Sequence, residues 1–254
     1  MPTGFIGCVT VRGVLFDFAG TLLVPIPATE WVREVTDGLG LGLDDDAVAE
    51  LAARLETTGR PGGPEPVEVP AEVAADYARR DVSVDLHRSA YAALLGSVTG
   101  PGSGLTTALY DAGCQAAGWA PYPDAAPTLA ALRRDGIRVA VVSNVGFDLR
   151  AVFAGHGLAD LVDAWVLSCE LGAMKPDPGL FTAALDQLRV RPDEALMVGD
   201  NPRNDGAAAD VGIRTLVLPY SPARRTHGLA AVLDLVRGDV DRTVDPGGQP
   251  HADA

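Results

Sequence analysis

The stretch Val14-Leu15-Phe16-Asp17-Phe18-Ala19-Gly20-Thr21-Leu22 decides the fold. Three apolar residues run into an aspartate, and a Gly-Thr turn follows. A short apolar run of this kind reads as a strand buried on both faces of a parallel sheet. It carries one carboxylate to its C-terminal end, the edge at which open α/β sheets bind ligands. An Asp before a Gly is also ordinary turn chemistry, so later stretches must decide between the two readings.

Downstream, the pattern turns helical. Pro25 and Pro27 break the chain, Thr29 opens a helix to about Leu39, and Asp44-Asp45-Asp46 open another to about Glu56. A Pro/Gly-rich loop spans Gly59 to Pro70, and further helices are expected near 71–80, 83–95 and 105–117. Gly100-Pro101-Gly102-Ser103-Gly104 is not a phosphate-cradling loop, because no Gly-Lys-Ser/Thr follows. From Pro121 the character changes again. Apolar runs at Ile137–Asn144, Ala164–Leu167, Ala195–Asp200 and Thr215–Leu218 alternate with helical patterns, one of them from Pro202 to Val211 and the last at Leu229–Arg237. Alternation of this kind implies an α/β fold, a Rossmann-like parallel sheet flanked by helices, with an all-helical insert after the first strand. The expected division is a core of residues 1–24 and 119–238, a helical insert of 25–118 and a disordered tail of 239–254.

Composition bounds the function. The 254 residues are 47% hydrophobic with a net charge of −14, which argues against nucleic acid or an anionic membrane as partner. No apolar run reaches membrane-spanning length, and Met1–Thr10 lacks a secretory pattern. Cys8, Cys114 and Cys169 are odd in number and widely spaced, which fits a reducing cytoplasm without disulfides or zinc. Of the 20 basic residues only Lys175 is a lysine. In a chain that otherwise uses arginine, a solitary lysine marks a position that needs a compact ammonium.

Four short motifs follow one another: Asp17-Phe18-Ala19-Gly20-Thr21, Ser143-Asn144, Lys175-Pro176 and Gly199-Asp200-Asn201-Pro202-Arg203-Asn204-Asp205. Right-handed crossovers bring their polar residues to one edge of the sheet. In this order the motifs resemble the haloacid dehalogenase (HAD) superfamily of hydrolases, of the type with a helical cap inserted after the first strand. The resemblance covers about Gly13 to Leu218. It implies a Mg²⁺-dependent phosphatase of a small phosphorylated metabolite. Asp17 would be the nucleophile, forming an aspartyl-phosphate. Asp17, Asp200, Asp205 and the main-chain carbonyl of Ala19 would hold Mg²⁺. Ser143 and Asn144 would bind phosphate oxygens, and Lys175 would neutralise charge on the transferring group.

One position departs from the resemblance. Phosphatases of this superfamily carry a second aspartate two residues after the nucleophile, as acid and base, and here that residue is Ala19. Losing such a group costs on the order of 10²–10⁴ in rate. His87 or Asp85 of the cap would be a replacement. Alternatives are a phosphonate or other non-phosphatase hydrolase, although the cap lacks the lysine that phosphonatases use, and a poorly catalytic phosphate-binding or regulatory protein. Dehalogenase relatives need no metal and usually have Tyr at the Ala19 position, so the Asp200/Asp205 pair speaks against them. Trp31, Trp119 and Tyr122, near the cap hinges, are candidates for the entrance or for core packing.

Overall fold

The computed structural model describes residues 10–220 and 226–241. Strand β1 (Gly13–Phe16) is followed by a tight turn in which Gly20, at φ +78°, supplies a conformation that other residues resist. The short β2 (Leu23–Pro25) then pairs antiparallel with β3 (Trp119–Pro121). Between them lie α1 (Ala28–Gly38), α2 (Asp45–Thr58), α3 (Ala74–Ala78), α4 (Val84–Thr99) and α5 (Gly104–Gly113). Asp44, Ser83 and Ser103 cap α2, α4 and α5 by accepting main-chain N–H bonds. These helices bury Trp31, Leu55, Leu94, Leu95 and Leu109 in a cluster of their own. The helix expected at 71–80 is shorter than its pattern and passes into a 3-10 turn at Arg80–Val82.

The rest of the chain alternates as expected: α6 (Ala125–Arg134), β4 (Arg138–Ser143), α7 (Leu149–Gly155), β5 (Ala164–Leu167), α8 (Ser168–Leu171), α9 (Pro178–Leu188), β6 (Ala195–Gly199), β7 (Arg214–Val217) and α10 (Ala230–Asp241). The parallel sheet has the order β5-β4-β1-β6-β7, with Phe16 in register with Val141 and Val198. β1 is central, so each of its faces must be covered. Val14 and Phe16 face a core built with α6, α7 and α10, while Leu15 faces one built with α9. All three are fully excluded from solvent, each such burial contributing about 1.5–3 kcal/mol. The chain steps to β4 on one side of β1 and later to β6 on the other, so the crevice beside β1 is a switch point, where ligands bind in open sheets.

Two expectations change. The helix expected from Pro202 to Val211 is a turn over 202–205 and a 3-10 helix at Gly206–Val211. Residues 239–241 close the last helix, and the remainder of the expected tail, 242–254, lies outside the described residues, as do Cys8 and the first nine residues. No helix among the described residues is long and apolar enough to cross a membrane.

Candidate active site

Asp17 leaves β1 with its main-chain N–H still bonded to the Val198 carbonyl, at 2.9 Å, so the ladder aims its carboxylate at the sheet edge. Lys175 comes from the loop after α8 and is held by Asn144. The Asn144 amide donates to the Lys175 carbonyl at 2.9 Å and accepts from the Lys175 N–H at 2.7 Å. So fixed, the ammonium donates to Asp17 Oδ1 and Asp205 Oδ1 at 2.7 Å each and to the Val142 carbonyl at 2.8 Å. An ammonium has three protons, and all three are used. Asp205 is itself fixed, because its Oδ2 accepts from the Asn201 N–H at 2.9 Å. Asp200 ends β6 beside Gly20. A Cβ on Gly20 would stand 2.5 Å from Asp200 Oδ2, and one on Gly199 would stand 2.2 Å from Asp205. Both glycines allow a close approach that any side chain would block.

Carboxylate oxygens of Asp17, Asp200 and Asp205 lie within 4.8 Å of one another. Burial pushes the Asp17 carboxyl up to about 6, against the pull of Lys175 and with the push of Asp205. Burial and the charges of Asp17 and Asp205 push Asp200 up to about 7. Burial pulls the Lys175 ammonium down, but its two carboxylate partners outweigh this and hold it above its ordinary value. The cluster therefore carries three acids against one cation, and the Asp17 and Asp200 carboxylates are poorly stabilised as anions. A hard divalent cation with oxygen ligands fits such a donor set.

The site opens into a cavity of about 310 Å³. Ser143, Lys175 and the three aspartates form its sheet side, and Glu65, Arg80 and Asp81 of the helical segment face them. A second cavity, of about 180 Å³, adjoins it and shares Ala19, Arg80, Asp81 and Asn144 as walls. Its remaining surface includes Phe18, Trp119, Phe147 and His87.

Asp17, Ala19, Ser143, Asn144, Lys175, Asp200 and Asp205 thus gather around one cavity. His87 does not join them. Its Nδ1 lies 2.8 Å from the Tyr110 hydroxyl, and its ring packs on Tyr91 and Phe147. Burial, aided by Arg80 and Arg88, lowers it to about 3, so at neutral pH it is an uncharged imidazole and not an imidazolium acid. Asp85 is exposed. Trp31 packs within the helical cluster, Trp119 stacks near Phe18 and walls the second cavity, and Tyr122 stacks on His227. The sequence reading missed Arg80 and Asp81, which the 3-10 turn after α3 brings to the wall of the cavity.

A Rossmann-ordered sheet with an acid, a serine, a lysine and two further acids at its switch point defines a hydrolase site of the HAD class. The model of the haloacid dehalogenase-like hydrolases matches residues 11–212, and the chain belongs to that family. It is 32% identical over 229 residues to a phosphoglycolate phosphatase of Rhodospirillum rubrum, covering 88% of this chain and 87% of that one. Among solved structures it resembles a HAD phosphatase from Thermococcus onnurineus (TM-score 0.56, 23% identity, 90% and 99% of the two chains). It also resembles a dehalogenase with an intermediate complex (TM-score 0.62, 23% identity, 89% and 97%). At such identity these structures speak for the fold alone.

Proposed function

We propose that the protein is a Mg²⁺-dependent phosphatase of a small phosphorylated metabolite, acting in the cytoplasm through an aspartyl-phosphate on Asp17. The observation that carries this reading is the cluster of three carboxylates around one buried lysine. Displacing a halide needs one nucleophilic carboxylate and no metal, so a cluster of three acids is more than it requires. Phosphoryl transfer to a carboxylate gives those acids a purpose. Asp17, Asp200, Asp205 and the Ala19 carbonyl would hold the Mg²⁺, which when bound offsets the charge of the phosphate and orients it. Lys175 keeps Asp17 ionised and aimed, and it adds positive charge beside the transferring group. Ser143 Oγ would bind a phosphate oxygen. The Asn144 side chain is committed to Lys175, so its phosphate contact would come from its main-chain N–H. The helical segment 25–118 would act as a cap that shields the site from water and selects the substrate.

The test is release of p-nitrophenol from p-nitrophenyl phosphate with Mg²⁺, beside chloride release from 2-chloropropionate, for wild type and Asp17→Asn. Mg²⁺-dependent p-nitrophenol release that disappears in Asp17→Asn is expected. Chloride release indifferent to EDTA would refute the reading in favour of dehalogenation. Absence of either activity, with Mg²⁺ and vanadate still bound, would favour a phosphate-binding role.

A further inference from the structure

Ala19 leaves the reaction without the acid and base that its position supplies in phosphatases of this superfamily, and a carboxylate of the helical segment shares its cavity walls. Asp81 is the carboxylic acid of the helical segment that walls both cavities. Glu65, the other acid there, walls only the first cavity and is 77% exposed. Asp81 by contrast is 13% exposed and, like Ala19, walls both cavities where they adjoin. It is pinned in place from the core. Its main-chain carbonyl accepts from Ser168 Oγ at 2.6 Å, and that same hydroxyl accepts from the Val145 N–H at 2.8 Å, one residue beyond Asn144. Close packing beside it reinforces the tether, since a Cβ on Gly146 would stand 2.1 Å from His87.

The groups around Asp81 leave its carboxyl available. Arg80 Nε is 3.8 Å from Oδ2, beyond a good hydrogen bond, and its guanidinium is spent on the Tyr91 hydroxyl, the Tyr77 carbonyl and Glu65. His87 Nε2 is 3.9 Å from Oδ1 and neutral. Burial raises the Asp81 carboxyl above its ordinary range, against the pull of Arg80 and with the push of Glu65. That direction suits an acid that starts with its proton.

We propose that Asp81 is the acid and base that takes over from the missing aspartate at position 19. The assignment rests on the phosphatase reading above. In the first half-reaction an Asp17 oxygen bonds to phosphorus, the bond from phosphorus to the leaving oxygen breaks, and that oxygen takes the Asp81 proton. In the second, Asp81 as carboxylate removes a proton from water as the water oxygen bonds to phosphorus. The bond from phosphorus to Asp17 breaks, phosphate leaves, and Asp81 is protonated again.

The experiment compares wild type, Asp81→Asn, Asp81→Glu and Asp17→Asn with Mg²⁺ on p-nitrophenyl and phenyl phosphate, folding being checked by circular dichroism. p-Nitrophenolate leaves without a proton, whereas phenolate needs one. Asp81→Asn should therefore give a burst near one equivalent of p-nitrophenol and then stall, with turnover down on the order of 10²–10⁴. Its burst with phenyl phosphate should be slowed as well, and a phosphoryl adduct should be visible by intact mass. Asp81→Glu should regain part of the turnover. If wild type turns over and Asp17→Asn does not, while folded Asp81→Asn stays within about threefold of wild type on both esters, the assignment of Asp81 is overturned. Equal loss on both esters without a burst overturns it too. No Asp17-dependent release in wild type would instead remove the phosphatase reading, and the role of Asp81 with it.

Discussion

Replacing Asp200 by Asn should make the metal-free protein more stable and the Mg²⁺ complex less so. Asp200 faces Asp17 and Asp205 within 4.8 Å and also Lys175, so its excess is roughly one like-charge pair. At an effective dielectric of about 20, two unit charges at that distance repel by about 3.5 kcal/mol. Partial exposure of Asp200 screens this to about 1–2 kcal/mol. For a chain of this size each kcal/mol moves the melting temperature by about 2–4 °C. In EDTA at pH 8, Asp200→Asn should therefore melt a few degrees above wild type by scanning calorimetry. Adding Mg²⁺ at about 100 times its Kd should stabilise wild type by about 2.7 kcal/mol and the variant by far less, so their order reverses. The sign of the pH dependence follows from the same groups. Asp17 and Asp200 titrate at about 6 and about 7 in the folded protein against 3.8 ordinarily, so the folded state holds the extra protons. Their contribution to metal-free stability is present below about pH 4 and is lost as pH rises through about 6 and 7. The variant should lose the upper part of that slope. A variant that melts below wild type in EDTA, or that gains as much from Mg²⁺, would refute the charge argument.

Other substitutions probe the same cluster. Lys175→Met leaves Asp17 and Asp205 buried without their cation and should cost about 3–5 kcal/mol at pH 8, read by urea unfolding, with part recovered at pH 5 as Asp17 protonates. Gly20→Ala puts a methyl 2.5 Å from Asp200 Oδ2 at a φ of +78°. It should cost about 1–3 kcal/mol and weaken Mg²⁺ binding in calorimetric titrations. Asn144→Ala removes both side-chain bonds to the Lys175 main chain and should lower kcat about tenfold or more while KM changes little.

Much of this was legible because parallel strands obey a strong code. A central strand needs apolar residues on both faces, so Val14 to Phe16 and Ala195 to Val198 read as unbroken runs, and the polar residue ending each run marks the ligand edge. β2 and β3 left no such trace, being three residues each and ending in proline. His87 carried a signal that could have been used. Its spacing to Ala90, Tyr91, Leu94 and Leu95 is that of one helical stripe, and all five are buried. Asp81 carried none. It stands in the 3-10 turn that follows a short helix, and the tether from Ser168, a contact 87 residues away in sequence, together with the packing of Gly146 on His87, holds it over the sheet.

The solitary lysine shows how sequence economy and site geometry meet. Lys175 is 3% exposed and bonds two carboxylates and a carbonyl that converge from three different elements. A tetrahedral ammonium can point a proton at each. A planar guanidinium sends its donors out in one fork and does not match three acceptors that converge from different elements. Among the described residues arginine serves where charges lie near the surface or stack on rings, as Arg80 does on Tyr77. At position 175 the same acids that would hold a metal also require a point charge between them. Lys175→Arg should therefore behave as a disruption of the cluster, although it conserves the charge.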